Sequence, residues 1–265
     1  MVNFKAAFGQ RDFLLLTLDA LRFDVASAAL AAGQIPNLAA LLPFGWELRH
    51  APGTFTLPSH EAIFAGFFPT PTGPGPHIRP IAVRFAGSRS TGRKTLVLDG
   101  PCLPSSYAGA GYCSMCFGGV GFFNPRSSLG ARLTGHFHEV HWSRATGVTS
   151  PRAPALQFHL VAQRLAELPS SQRVFLFINA AATHPPTRIF LKGARKEGPE
   201  TQRAALVAID RNLPELLAAL RARGGAVGII CSDHGTCFGE DGYVGHRHAH
   251  PLVMNVPYAE VEILP

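Results

Sequence analysis

The chain has 265 residues, 46% of them hydrophobic and 15% charged. This excludes wholesale disorder and leaves room for one full core or two small domains. Its 27 glycines and 22 prolines follow no repeat, which excludes fibrous classes, and a formal net charge of +7 points to an anionic partner of unspecified kind. No apolar run approaches the ~20 residues of a membrane-crossing helix. Met1–Gln10 has neither the apolar stretch nor the cleavage site of a signal peptide. Five cysteines, an odd number, read as reduced thiols rather than a disulfide framework, so a cytoplasmic location is expected.

In chain order, the apolar run Phe13–Leu18 predicts a first strand that runs straight into Asp19, with a helix over Leu21–Ala32 behind it. A second helix is predicted over Ser59–Ala65. Pro69–Lys94, rich in Pro, Gly and Arg, reads as a surface excursion. Its Arg79, Arg84, Arg89, Arg93 and Lys94 carry no groove-reading motif and no interleaved aromatics, so nucleic acid is not the expected partner. Thr95–Leu98, Val174–Ile178 and Ala226–Cys231 complete the predicted strands, and Ala155–Leu168 and Gln202–Arg223 the helices. Pro214 predicts a kink or break in the last of these. Strands alternating with helices predict a mostly parallel sheet with helices on both faces, whose ligands sit beyond the carboxyl ends of the strands.

Those strand ends carry the chemistry. The first delivers Asp19, the third Asn179 with His184 just after, and the fourth Asp233-His234 before Gly235. An adjacent carboxylate and imidazole at a strand end suit Zn²⁺ or Mn²⁺; the bland alternative is a capping Asp beside a surface His. Asp19 has its own bland reading as the cap of the following helix. Thr56 lies just ahead of the helix that Pro58 helps to start, where free N–H groups favour an anion. A hydroxyl there is placed to attack phosphorus or sulfur, although a plain helix cap uses the same residue type.

Together, Leu16-Thr-Leu-Asp19-Ala-Leu-Arg22-Phe-Asp24, Thr56-Leu-Pro-Ser-His60 with Gly66 and Pro69, Ser232-Asp233-His234-Gly235 and Gly239-Glu-Asp-Gly242 leading to Gly245-His246 resemble the alkaline phosphatase/sulfatase superfamily, and within it the phosphoethanolamine transferases and sulfatases. The resemblance implies an alkaline phosphatase-like three-layer α/β sandwich over residues 1–265 as a single catalytic domain. It implies a divalent metal, Zn or Mn, held by Asp19, Thr56, Asp233 and His234, with Thr56 as the nucleophile that forms a covalent phospho-enzyme. His184 and His246 would contact the substrate or hold a second ion. His60, Asn179 and His248 would contact the substrate. His248 and His250 are alternatives to His246, which the spacing from Asp233 favours.

Two departures from the family pattern narrow the activity. Two-metal members carry an Asp shortly before the equivalent of His184, where this chain has Asn179 followed by three alanines, and a neutral amide is a poor substitute on zinc. Sulfatases need Cys or Ser at the nucleophile and have Arg at the position of His60. The expectation is therefore a phosphate-ester hydrolase or transferase with a small phosphorylated substrate and no membrane partner. A phosphodiesterase, phosphonate-ester or sulfate-ester hydrolase is the alternative within the superfamily, and a catalytically silent anion-binding scaffold the alternative outside it. Cys113-Ser-Met-Cys116 with His136 and His141 reads as buried small residues, the zinc reading having too long a middle spacing. Gly118-Gly-Val-Gly121 lacks the context of a nucleotide loop.

Overall fold

A computed structural model describes residues 2–66, 87 and 102–265. In chain order its elements are α1 (Phe4–Ala7), β1 (Asp12–Leu18), α2 (Phe23–Ala31), α3 (Pro36–Ala39), β2 (Glu47–His50), α4 (Thr56–Ala65), α5 (Leu103–Gly109), β3 (Cys113–Gly118), α6 (Ser128–Thr134), β4 (Glu139–Trp142), α7 (Ala153–Glu167), β5 (Val174–Ala180), α8 (Pro199–Ala222), β6 (Ala226–Cys231), β7 (Cys237–Phe238), β8 (Val244–Gly245), α9 (Pro251–Met254) and β9 (Asn255–Ile263). Seven strands form one sheet in the order β2-β9-β6-β1-β5-β3-β4. Its inner pairs are parallel, and β9 and β2 add antiparallel strands at one side. The predicted excursion Pro69–Lys94 and the strand Thr95–Leu98 lie outside the described residues, Gly87 apart. No described helix is long and apolar enough to cross a membrane.

β1 sits at the centre and is buried on both faces, as a continuous apolar run requires. Its Leu14, Leu16 and Leu18 pack with Leu206, Ile209 and Leu213 of α8, Phe158 of α7 and Val25 of α2. Phe13 and Leu15 face the other way, into a cluster with Phe64 of α4, Tyr107 of α5 and Leu133 of α6. These two apolar layers make the three-layer sandwich. The register pairs Thr17 of β1 with both Asn179 of β5 and Cys231 of β6. The three carboxyl ends are therefore level, and Asp19, Asn179 and Asp233 come to one edge.

The predicted strands within the described residues are present, but β2, β3, β4 and β9 of the main sheet and the short pair β7-β8 are additional. β3 reads Cys-Ser-Met-Cys-Phe-Gly and β9 contains Pro257, patterns that signal a strand weakly on their own. On β3, Cys113 and Cys116 are three residues apart and so point to opposite faces, one packed with each apolar cluster. This rules out a shared metal or redox pair.

α8 does not break at Pro214; it runs through from Pro199 to Ala222. The carbonyl that Pro214 leaves without its helical donor belongs to Asp210, and the Asn37 side-chain amide donates to it at 3.0 Å. The Asp210 carboxylate in turn accepts from the backbone N–H of Leu38 at 2.7 Å, so one exchange supports both helices. At the edge opposite the site, Arg223 donates to Asp12 at 2.8 Å and to the carbonyls of Leu165, Leu168, Pro169 and Gln172, with both charged side chains almost fully buried.

Arg223→Ala is expected to leave Asp12 with only the longer, 3.6 Å pair to Arg173 and cost about 3 kcal/mol of stability, read from the urea midpoint; a change within about 0.5 kcal/mol, the size of an ordinary surface substitution, contradicts this account.

Candidate active site

Asp19 is the first residue after β1, and its backbone is held from two sides. Its N–H donates to Ala180 O at 3.1 Å and the Thr183 hydroxyl donates to its carbonyl at 2.8 Å. Its helix-cap reading fails, because Arg22 is the cap of α2. Ala20, next in the chain, takes a left-handed conformation with φ of 60°, uncommon for a residue with a Cβ. This turn directs the Ala20 N–H to Asp233 Oδ1 at 3.2 Å. Gln202, buried on α8, locks it by donating to the carbonyls of Ala20 and Thr183 at 2.8 and 3.0 Å while accepting from the N–H of Arg22.

His234 Nδ1 lies 2.8 Å from the Gly235 carbonyl, which only accepts, so the proton is on Nδ1 and the Nε2 lone pair is free. Nε2 is 3.4 Å from the Thr56 hydroxyl, 3.5 Å from Asp233 Oδ2 and 3.8 Å from Asp19 Oδ1. Thr56 Oγ1 also lies 3.4 Å from Asp19 Oδ2. Thr56 is not ahead of α4 but is its first residue. The cap is Phe55, which has no side chain to bond the helix end, so the plain-cap reading of Thr56 fails as well. Pro58, third in the helix, has no N–H to leave orphaned.

Two oxygens in this cluster, Asp19 Oδ1 and Asp233 Oδ2, are buried without a hydrogen-bond partner, in residues with no exposed surface. Burial first, and for Asp19 the neighbouring charge of Asp233 next, push the two carboxyls up to about 6 and about 7. Burial also lowers the pKa of His234, and the neighbouring histidines offset only part of the rise in the two carboxyls. Ligand atoms of Asp19, Asp233 and His234 lie within 4.8 Å of one another. Two carboxylate oxygens, a bare imidazole nitrogen and a hydroxyl are a donor set that suits a divalent ion of Zn²⁺ or Mn²⁺ type.

His184 and His246 approach from outside this cluster. The His246 ring is centred 4.6 Å from His234 and 5.3 Å from His184, and both are partly exposed. His184 donates from Nδ1 to Pro185 O at 2.7 Å. His246 is held near a pKa of about 3, by burial first and then by the neighbouring His234 and His184, and its Nδ1 has no partner.

Two of the three residues expected to contact substrate, His60 and Asn179, are placed otherwise. His60 has no exposed surface: it donates to Thr56 O at 2.8 Å, meets Thr17 at 3.2 Å and is walled in by Phe64, Phe123 and Phe177. It lies beneath Thr56, where a bound molecule does not reach. Asn179 uses both ends of its amide. It donates to Asp19 Oδ2 at 2.8 Å and to Thr17 at 3.3 Å, and it accepts from Val120 N at 3.1 Å. It therefore orients Asp19 and has no lone pair directed at the cluster. The Val120 contact depends on Gly119, where a Cβ would come within 2.5 Å of Asn179 O; that glycine serves close approach, not a nucleotide loop. His248 stacks on Tyr243 at 4.7 Å, with the His250 ring 6.3 Å away; it is near enough to His246 to help lower its pKa, and its Nε2 has no hydrogen-bond partner.

Thr17, Thr183, Gln202 and Gln157, which donates to Asn179 O at 2.9 Å, escaped the sequence reading. Each is a buried polar residue inside an otherwise ordinary element, with no spacing signal. Arg22 stands in the motif around Asp19, but its role did not come from the sequence: its buried guanidinium forks between Asp24 and Glu240, joining the start of α2 to the segment between β7 and β8.

No family model matches the sequence, and no curated protein matches it. Solved structures do. The chain is similar to the C-terminal periplasmic domain of EptC from Escherichia coli in complex with Zn (TM-score 0.63, 13% identity, 96% of this chain and 73% of that one). It is similar to the soluble domain of lipooligosaccharide phosphoethanolamine transferase A from Neisseria meningitidis (TM-score 0.62, 16% identity, 95% and 76%). It is also similar to a protein in the alkaline phosphatase superfamily from Vibrio parahaemolyticus (TM-score 0.58, 14% identity, 96% and 61%).

Because Asp19 and Asp233 ionise only near 6 and 7 when folded but near 4 when unfolded, the folded state holds more protons between those values. Their contribution to stability is complete below about pH 4 and lost as pH rises through about 7. Metal-free protein is thus expected to unfold at lower temperature as pH rises through this window, with a shallower slope in Asp233→Asn. Equal slopes contradict the reading.

Proposed function

Starting from the fold of the alkaline phosphatase superfamily, we propose that this chain is a metal-dependent enzyme that hydrolyses or transfers phosphate esters through Thr56. One observation carries the reading: the buried, unpartnered Asp19 Oδ1 and Asp233 Oδ2 converge with His234 Nε2, whose one contact of hydrogen-bond type is the Thr56 hydroxyl, around that hydroxyl. Burial of unpaired carboxylate oxygens is costly, and packing alone gives no return for it. Asp19, Asp233, His234 and Thr56 would hold a divalent ion, which when bound would lower the hydroxyl pKa and neutralise charge gathering on the phosphoryl oxygens.

The chain's own residues do the rest. Asp19 Oδ2 accepts from the Thr56 hydroxyl and directs it, while Asn179 fixes that carboxylate. The start of α4 presents its unpaired N–H groups to the anion. Thr56 Oγ gives its proton to Asp19 Oδ2 and bonds to phosphorus as the bond to the leaving oxygen breaks; His184 hands that oxygen a proton, with His246, held neutral, beside it on the same side. Water or a second hydroxyl then takes the phosphoryl group and restores Thr56. A Thr at this position, in place of the Cys or Ser that sulfatases need, favours phosphate over sulfate esters. The fully formed cluster argues against a silent scaffold, which has no use for strandable buried charge.

The test is turnover of aryl phosphate monoesters, diesters, phosphonates and sulfates by stripped protein reloaded with Zn²⁺ or Mn²⁺. Phosphate-ester turnover that needs metal and falls by about a thousandfold or more in Thr56→Ala is expected; turnover that survives Thr56→Ala refutes the mechanism. Asn179→Ala is expected to weaken metal binding by about 10–100-fold, measured by chelator competition, and unchanged binding would show that Asn179 does not hold Asp19 for the ion.

A further inference from the structure

The residue after His246 is Arg247, and it has a φ of 83°. That left-handed conformation suits glycine and strains a residue with a long side chain, so it persists only where the surroundings hold it. Two contacts do so here. The Arg247 N–H donates to Thr54 O at 2.9 Å, and its guanidinium lies over the ring of Phe55, 5.2 Å from the centroid. Phe55 precedes Thr56 and leans on Phe122, with ring centres 6.2 Å apart.

Arg247 differs from the chain's other anchored arginines. Arg22, Arg164 and Arg223 each pair with a carboxylate, whereas none of the described residues gives Arg247 an ion-pair partner, and its side chain is exposed. A strained, unpaired cation is thus fixed on an aromatic floor next in sequence to His246 and one residue from Thr56. In an in-line displacement the leaving oxygen stands opposite the attacking one, on the side given above to His184 and His246.

We propose that Arg247 is a specificity-determining residue that binds a second anionic group, a carboxylate or phosphate, carried by the leaving group of the substrate. A guanidinium meets such a group through two parallel N–H donors, and the Phe55 face pre-orients it. The enzyme then selects esters of acidic alcohols or phenols over esters of neutral ones. This deepens the preceding reading of the site and rests on it.

The experiment compares phenyl phosphate with para-carboxyphenyl phosphate, using wild type, Arg247→Gly and Arg247→Lys, all reloaded with Zn²⁺. Arg247→Gly removes the guanidinium and relieves the strained backbone together, so folding is not at risk. The wild-type preference for the carboxylated ester in kcat/KM is expected to shrink by about tenfold in Arg247→Gly, equal to about 1.4 kcal/mol, and Arg247→Lys is expected to retain part of it. Comparing ratios between proteins cancels the difference in leaving-group acidity.

Dissociation constants of phenylphosphonate and para-carboxyphenylphosphonate, which have no ester bond to break, measured on Zn²⁺-reloaded wild type and Arg247→Gly, give a readout without turnover. Loss of the carboxylate preference in binding supports the assignment even if neither ester is turned over, an outcome that overturns the catalytic reading alone. An unchanged preference in Arg247→Gly by both measures overturns the assignment of Arg247 alone. Binding of neither phosphonate overturns both.

Discussion

The architecture of the site depends on one electrostatic constraint: the carboxylates of Asp19 and Asp233 are brought together where water does not reach. Two like charges in a low-dielectric pocket repel and lose their hydration, which is why both carboxyls are pushed up. The surrounding chain is arranged to hold them anyway. Asn179 takes one oxygen of Asp19, the strained Ala20 turn takes one oxygen of Asp233, and each acid keeps one oxygen in reserve. Gln202 and Thr183 then fix the backbone that makes these contacts. Polar networks of this kind rigidify a site only when every other member is satisfied, and here the unsatisfied members are concentrated at one point.

The opposite edge of the same sheet shows what a purely structural solution looks like. Asp12, at the start of β1, is also fully buried, but it accepts from Arg223 and from Val174 N, and Arg223 spends its remaining donors on backbone carbonyls. A buried charge there is paired and closed. At the carboxyl edge, seven strand residues away, Asp19 has no cationic side chain. The contrast within a single strand is what the proposed cation site rests on: one buried acid is closed by an arginine, the other keeps an oxygen unpartnered.

The residues at the carboxyl ends of the strands were legible in the sequence because their signal is positional. An apolar run that stops at Asp19, or at Asp233-His234, states both the strand and its polar terminus. The central parallel core was legible for the same reason. The flanking strands were not: β3 and β9 gain their stability from neighbours already in the sheet, a context that no local pattern encodes. Pro214 misled because the compensating donor, Asn37, lies far away in sequence. His60 misled because a histidine in a motif looks the same whether it faces a ligand or supports the residue above it. Asn179 reads as a missing ligand by residue type, but its hydrogen bonds make it the support of a ligand instead.

The outer half of the site is built on a different principle from the inner half. The inner residues come from strand ends and a helix start, elements fixed by the core. His246 and Arg247 come from a loop between β8 and α9 that has little apolar packing of its own, and charge holds it. Arg22 reaches from the base of α2 to Glu240 and lies against Phe238, Glu240 accepts from Phe238 N at 2.5 Å, and His250 meets Asp241 at 3.0 Å. Arg22 therefore acts on both halves: its own N–H is tied through Gln202 to the Ala20 turn beside Asp19, while its side chain sets the segment between β7 and β8. A single residue, present in the motif around Asp19 but given no role there by its residue type, couples the position of the buried acids to the segment that leads to His246.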